Sequence, residues 1–400
     1  MGHFIGLCFV LLVAGAGTTL FAPLLPLYQE AFGLGTGVAG LAASVYGITI
    51  IPAMLLAGPL TDRLGRGALL FPGVACFALG DLAFALATGL PWLIAGRLLH
   101  GLAMGAVFSP LVALASDLME RERPGLAALG AAVASMTGFG VGPLVTGLAL
   151  HAGIAPARAP FLIHAGLMLI GAAFLVAPLR ARHTAAALTS APGSTGGQDD
   201  RGARRLALLG GVGGWAVGGA LLVMLPILLL PLGGRDHPFL GGAALAAVNG
   251  AGVGAQLATW RWTPMRALAL GALGEALGLG LLVAGLAAGS LPLALGAAVL
   301  IGLGLAAVHR GGLGVTIRAT TAHRKGQALS LFLVGAYAAA NFSTAAFGLL
   351  ADAVGTVSAL AAYAAVFCAL LVATALRALA GLPAKIPRTA AVASITTPRP

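Results

Sequence analysis

The stretch FIGLCFVLLVAGAGTTLFAPLLPLY, Phe4 to Tyr28, runs without an Asp, Glu, Lys, Arg or His. A helix crossing a bilayer needs ~20 mostly apolar residues, because backbone groups in hydrocarbon are satisfied only within a helix or a closed barrel. Barrel strands alternate apolar and polar residues over ~10-residue segments, and this run does not. Similar runs recur along the 400-residue chain, which is 59% hydrophobic and only 8% charged, whereas soluble domains carry about a quarter charged residues. The chain is therefore read as an all-α integral membrane protein.

Charges, Pro/Gly turns and polar clusters divide it into twelve spans, near 4–28, 37–60, 68–88, 91–115, 126–150, 160–178, 206–231, 240–259, 266–289, 291–309, 327–350 and 356–380. The opening MGHF has no basic n-region and its apolar run is too long for a removable signal peptide, so it begins the first span. Between the sixth and seventh spans RARHTAAALTSAPGSTGGQDDRGARR is polar and aperiodic, the composition of a flexible linker. The expected organisation is a six-helix bundle over 1–179, a linker over 180–205, a second bundle over 206–380 and a disordered tail over 381–400, rich in Pro, Thr and Ala. Cys8, Cys76 and Cys368 fall inside spans with no CxxC spacing and read as packing residues.

Orientation follows from the basic residues. With both termini cytoplasmic, nineteen of the 22 Lys and Arg residues fall in cytoplasmic loops or the tail. The remaining three are Arg158 and Arg235 outside and Arg97 within a span. This asymmetry fits the positive-inside rule, and the net charge of +11 is a topology signal rather than a nucleic-acid footprint, since no basic stripe with interleaved aromatics exists. A plasma (inner) membrane protein, multi-pass, is expected. The halves also echo each other: GPLVTGLALHAG, closing the fifth span, resembles STAAFGLLADAVG, closing the eleventh. Paired six-helix halves rocking about a central site are one known transporter design.

GPLTDRLGRG, between the second and third spans, crowds an acid and two arginines into a glycine-bounded turn. Gly58 permits close helix approach, Gly65 a tight reversal, and Asp62 is placed to meet the positive end of a helix dipole. The pattern G-x-L-x-D-R-x-G-R, carried by Gly58, Leu60, Asp62, Arg63, Gly65 and Arg66, resembles the signature of the major facilitator superfamily. The resemblance implies twelve helices in two pseudo-symmetric bundles. It also implies a conformational latch in which Asp62 meets the start of the eleventh span and Arg66 pairs with Asp117, holding the outward-open state. The matching stretch of the second half, GAQLATWRWTPMR, keeps Arg261 and Arg266 but lacks the acid, so a latch there is weaker.

In the fifth span GFGVGPLVTG resembles the G-x-x-x-G-P-x-x-x-G pattern of the superfamily's drug:proton antiporters, through Gly138, Gly142, Pro143 and Gly147, with Thr146 where the family pairs glycines. Small residues four apart allow close packing and Pro143 removes a backbone hydrogen bond. In the fourth span LIAGRLLHGLAMG resembles a third signature, with Arg97 in place and His100 where a glutamine is usual.

Ionisable groups inside spans each cost ~2.5–3.5 kcal/mol at the centre, so partners are sought. Asp81 and Arg97 both lie ~20 Å from the cytoplasmic edge at 1.5 Å per residue and are expected to pair; if the pair opens, Asp81 is a proton acceptor. Glu275, at mid-depth near Asn249, is expected as a proton carrier or a neutral hydrogen-bonding group. His100 is a further coupling candidate, and His164 reads as a packing histidine. The would-be cavity helices offer little beyond Thr18, Thr19, Trp215 and His309, a lining for lipophilic or weakly basic molecules rather than sugars.

The resulting expectation is a secondary transporter that exports a lipophilic drug-like compound or metabolite in exchange for protons by alternating access. Its expected partners are a small-molecule substrate, protons and the lipid bilayer, with no nucleic acid; a monomer is expected. Another small solute, such as an organic anion drawn by Arg97, is the alternative. No P-loop GxxxxGK[ST] is present, and no HExxH, GxSxG or DxD-like metal pair marks an intramembrane enzyme. No cofactor or metal is expected.

Overall fold

The computed structural model describes residues 2–119, 126–183, 200–321 and 324–381. Among them lie twelve spans and no β-strand. Span 1, Gly2–Phe32, joins helices Gly2–Thr19 and Leu25–Phe32 through a 3-10 turn at Ala22–Leu24. Span 2 is Thr36–Leu64, interrupted at Val45. Span 3 is Gly67–Ala85, span 4 Leu90–Met119, span 5 Leu126–Ala152 and span 6 Ala159–His183. The second half holds span 7, Arg201–Leu228, span 8, Phe239–Ala258, and span 9, Pro264–Ala287. It ends with span 10, Leu291–Arg318, span 11, Lys325–Val354, and span 12, Thr356–Ala380.

Span 7 starts inside the expected linker because Asp200 caps it. The Asp200 carboxylate accepts from the Ala203 amide at 2.9 Å, one of the donors a helix start leaves without an intrahelical partner. The Asp200 amide and the Arg204 guanidinium both donate to the Ala319 carbonyl, which follows the end of span 10. Span 6 likewise continues to His183. The rest of the linker, 184–199, the tail 382–400, and the loop residues Arg121 and Arg123 lie outside the described residues.

Alternation of twelve spans places Gly2 and Gly381 on one face, the terminal face. Packing differs between the two faces. One apolar cluster mixes Leu20, Phe21, Tyr28 and Ala39 of the first half with Val217, Met224, Leu245 and Phe347 of the second. It joins the halves near the face opposite the termini. The other cluster, built on Leu7, Ile50, Val74, Val107 and Leu111, has its buried residues in the first half, with Tyr337 of span 11 packed against it. Span 11 packs along the Thr36–Ser44 half of span 2 and touches Tyr46–Leu64 far less. The two halves are therefore sealed opposite the termini and separate toward them. Spans 6 and 12 present Leu169, Ile170, Phe174, Val366 and Leu376 outward, an apolar belt suited to lipid.

Candidate functional site

In the terminal half of the bundle a cleft lies between spans 2, 4 and 11, lined by Ile51, Met54, Ser109, Ser330, Val334 and Tyr337. Its three hydroxyl-bearing residues, Ser109, Ser330 and Tyr337, are few for a polar solute, since such ligands need several fixed hydrogen-bond partners. Behind Tyr337 the ring of Trp215 lies tilted with its centroid 5.4 Å away, and the Trp215 indole donates to His309 Nδ1 at 2.9 Å. That bond makes Nδ1 the acceptor, so the neutral His309 ring carries its proton on Nε2.

Asp81 is wholly buried, and its partners are two histidines rather than Arg97. Its Oδ1 lies 3.1 Å from His100 Nε2 and its Oδ2 2.6 Å from His164 Nδ1. His164 Nε2 in turn lies 2.9 Å from the carbonyl oxygen of Val13. A carbonyl only accepts, so Nε2 must carry a proton. A neutral His164 would then turn a bare Nδ1 toward a carboxylate, two acceptors in hydrogen-bond contact. The contact therefore requires one more proton, on His164 or on Asp81. His100 Nδ1 has no hydrogen-bond partner among the described residues, so the ring is assigned as a neutral imidazole donating through Nε2, with only the bare Nδ1 acceptor left unpaired. The cluster thus holds one labile proton, between Asp81 and His164.

The expected Asp81–Arg97 pair is corrected by this arrangement. Equal depth sets height on two helices but not the direction in which each side chain leaves its axis. Arg97 turns toward spans 1 and 2, donating to the Ala43 carbonyl through Nε and Nη2 and to the Thr18 carbonyl through Nη1. Its guanidinium lies 4.5 Å from the Tyr46 ring centroid and 5.3 Å from that of Phe21, contacts favourable for a cation. His164, read as a packing residue, instead completes the acid cluster; its place on span 6 gave no periodic signal that would have set it beside Asp81. Glu275 is wholly buried, with neither carboxyl oxygen bonded, and Asn249 donates to Leu245 of its own helix instead.

The family model described as Major Facilitator Superfamily matches residues 7–274. The chain belongs to this superfamily.

Among curated superfamily relatives, the 3-(3-hydroxy-phenyl)propionate transporter of Escherichia coli K12 is 34% identical over 34% of this chain and 36% of its own length. Multidrug resistance protein 2 of Bacillus subtilis 168 is 27% identical over 40% of this chain and 39% of its own. The chain thus spans less than half the length of the curated relatives it matches. A crystal structure of a peptide transporter POT mutant in complex with alafosfalin superposes with a TM-score of 0.72 at 17% identity, covering 94% of each chain. That likeness concerns the fold.

The superfamily signature occupies the terminal end of span 2. Arg66 pairs with Asp117 of span 4 at 2.6 Å. Gly65 ends span 2 with φ +81°, a region open to glycine. Asp62 and Arg63 are exposed, Asp62 has no hydrogen-bond or ion-pair partner among the described residues, and a Cβ on Gly58 would meet open space. In the second half Arg261 and Arg266 lie over Trp260 and Trp262 at 4.7 and 5.0 Å. The span 5 glycines pack tightly: a Cβ on Gly138 or Gly142 would strike the carbonyls of Leu12 and Ala16 of span 1, and one on Gly147 would lie 3.1 Å from Gly242 of span 8. The carbonyl of Pro143 faces Gly242, so this segment wedges between the two halves.

Proposed function

We propose that this protein is a secondary transporter that exports lipophilic solutes in exchange for protons, with the terminal face cytoplasmic. The observation that carries the proposal is the buried contact of Asp81 with His164 and His100, whose geometry calls for one shared proton. A closed cluster wholly inside the bundle has no room for a larger solute, and Asp/His chains buried in membrane bundles are the residue types that relay protons. Span 4 lines the cleft through Ser109 and also carries His100, while Val13 and Thr18 of span 1 bind His164 and Arg97. Movement of span 1 or span 4 on substrate entry therefore disturbs the proton's seat. The apolar cleft, and the similarity to a multidrug resistance protein, support a lipophilic cargo. In this reading the structure is the state open to the cytoplasm and still protonated, before substrate binding releases the proton.

Adding tetraphenylphosphonium to the purified protein in weakly buffered detergent is expected to release close to one proton per chain, read with a pH indicator dye. No release from a protein that binds the cation would overturn proton exchange.

The signature at the end of span 2 completes the cycle: Asp62 swings onto the start of span 11 when the cytoplasmic side closes. Asp62→Asn is expected to slow turnover about five-fold with expression unchanged, as a wet charge–dipole contact is worth roughly 1 kcal/mol. Wild-type turnover would contradict the latch.

A second reading is favoured by Arg97, which has no carboxylate partner among the described residues and only three of its N–H groups engaged. An aromatic carboxylate fits a cation held beside Tyr46 and Phe21, and the similarity to an arylpropionate transporter supports it. Here 3-phenylpropionate transport should fall at least ten-fold in Arg97→Gln, with tetraphenylphosphonium transport little changed. Equal loss of both would count against an anion site.

A further inference from the structure

The end of span 11 repeats the end of span 2. Span 2 closes with Gly58, Asp62 and Gly65, and span 11 with Gly348, Asp352 and Gly355, the same G-x-x-x-D-x-x-G spacing. The closing glycines share one backbone conformation, φ +81° and ψ 158° at Gly65, φ +84° and ψ 154° at Gly355. The spans run antiparallel, so the two acids lie at opposite faces. Their surroundings differ in this state. Asp352 Oδ1 accepts from the Thr36 amide and Oδ2 from the Gly37 amide, each at 2.8 Å. These are the first amides of span 2, left without intrahelical partners and at the positive end of its dipole. Close backbone approach makes the contact: a Cβ on Gly348 would lie 2.7 Å from the Thr36 carbonyl oxygen, and one on Gly37 2.7 Å from Asp352 Oδ2. Among the described residues the counterparts at the end of span 2 are unengaged: Asp62 is exposed with no hydrogen-bond or ion-pair partner, and a Cβ on Gly58 would meet open space.

We propose that Asp352 is the positioning residue of a second latch, which holds the bundle shut at the face opposite the termini while the Asp62 latch is open. The two latches alternate: each acid at the end of one span caps the start of the other, and each state keeps one cap and releases the other. Carboxylate bonds to two helix-start amides are charge-assisted and so stronger than neutral ones, yet Thr36 lies at the exposed rim, where water can replace Asp352 when the seal opens. Such a contact is firm enough to bias a state and weak enough to break in each cycle. The inference deepens the alternating-access reading and rests on it.

The test uses the full chain in liposomes, with Cys8, Cys76 and Cys368 replaced by serine and one reporter thiol labelled by a membrane-impermeant maleimide. Ser330→Cys reports the cleft side, and Met224→Cys reports the seal, since Met224 is 1% exposed and packs on Gly40 of span 2. Asp352→Asn is expected to raise the labelling rate at position 224 about ten-fold and lower it at 330. Thr36→Pro should act in the same direction with a smaller effect. It deletes one of the two donors at a first helical position, where proline is tolerated, behind a Gly35 already extended at φ −66° and ψ 164°. Asp62→Asn should shift both rates the opposite way. Unchanged rates in Asp352→Asn and in Thr36→Pro would overturn the second latch. A shift in those two with none in Asp62→Asn would leave it standing and remove the first.

Discussion

Replacing Asp81 by asparagine is expected to abolish gradient-driven transport, by a hundred-fold or more, while substrate exchange without a gradient persists. Asparagine keeps the shape and can still accept from His100 Nε2, but it cannot share a proton with His164. Its amide can donate to a bare His164 Nδ1, so the cluster remains satisfied with the proton gone. The variant should therefore fold, and the loss should fall on coupling alone. Radiolabelled substrate exchange and pH-driven uptake, measured on the same liposomes, separate the two activities. Equal loss of both would assign Asp81 a structural role; retention of both would remove it from coupling.

Gly138→Leu is expected to have the other large effect, on the amount of folded protein. The position faces the Leu12 carbonyl of span 1 so closely that even a Cβ has no room, and backbone on both sides leaves nothing flexible to yield. Overpacking a well-filled core costs ~1–3 kcal/mol, and here two helices must move apart. A drop of at least five-fold in monodisperse protein by fluorescence-detected size exclusion is the expected outcome. Gly58→Leu is the internal control, since open space surrounds Gly58 in this state. It should fold normally and impair transport only through the state in which Asp62 engages span 11. Comparable loss of folded protein at both positions would contradict the packing described for span 5.

The architecture was legible because its determinants are local. Apolar runs of spanning length and the glycine-bounded turns lie in contiguous sequence, and the span positions differ from those expected mainly at polar ends. Span 7 reaches back to Arg201 and span 10 on to Arg318, where Asp200 capping and the Ala319 carbonyl tie the two ends together. The site was less legible because its partners are chosen by azimuth. Asp81 and Arg97 match in height yet face different neighbours, and His164 is 83 residues from the acid it binds. The G-x-x-x-D-x-x-G spacing around Asp352 repeats that of Asp62. The signal was present, but its meaning depends on spans 2 and 11 being antiparallel neighbours, which no local pattern states. Glu275 is buried at mid-membrane with no hydrogen-bond partner among the described residues, and it lies outside the cleft lining.

The most direct test of the account imposes an inward-acidic pH gradient on proteoliposomes and follows tetraphenylphosphonium uptake with the membrane potential clamped by potassium and valinomycin. Proton exchange through Asp81 and His164 predicts uptake that outlasts chemical equilibrium, collapses within seconds of adding nigericin, and vanishes in Asp81→Asn. Accumulation of the same size in wild type with or without nigericin would contradict it.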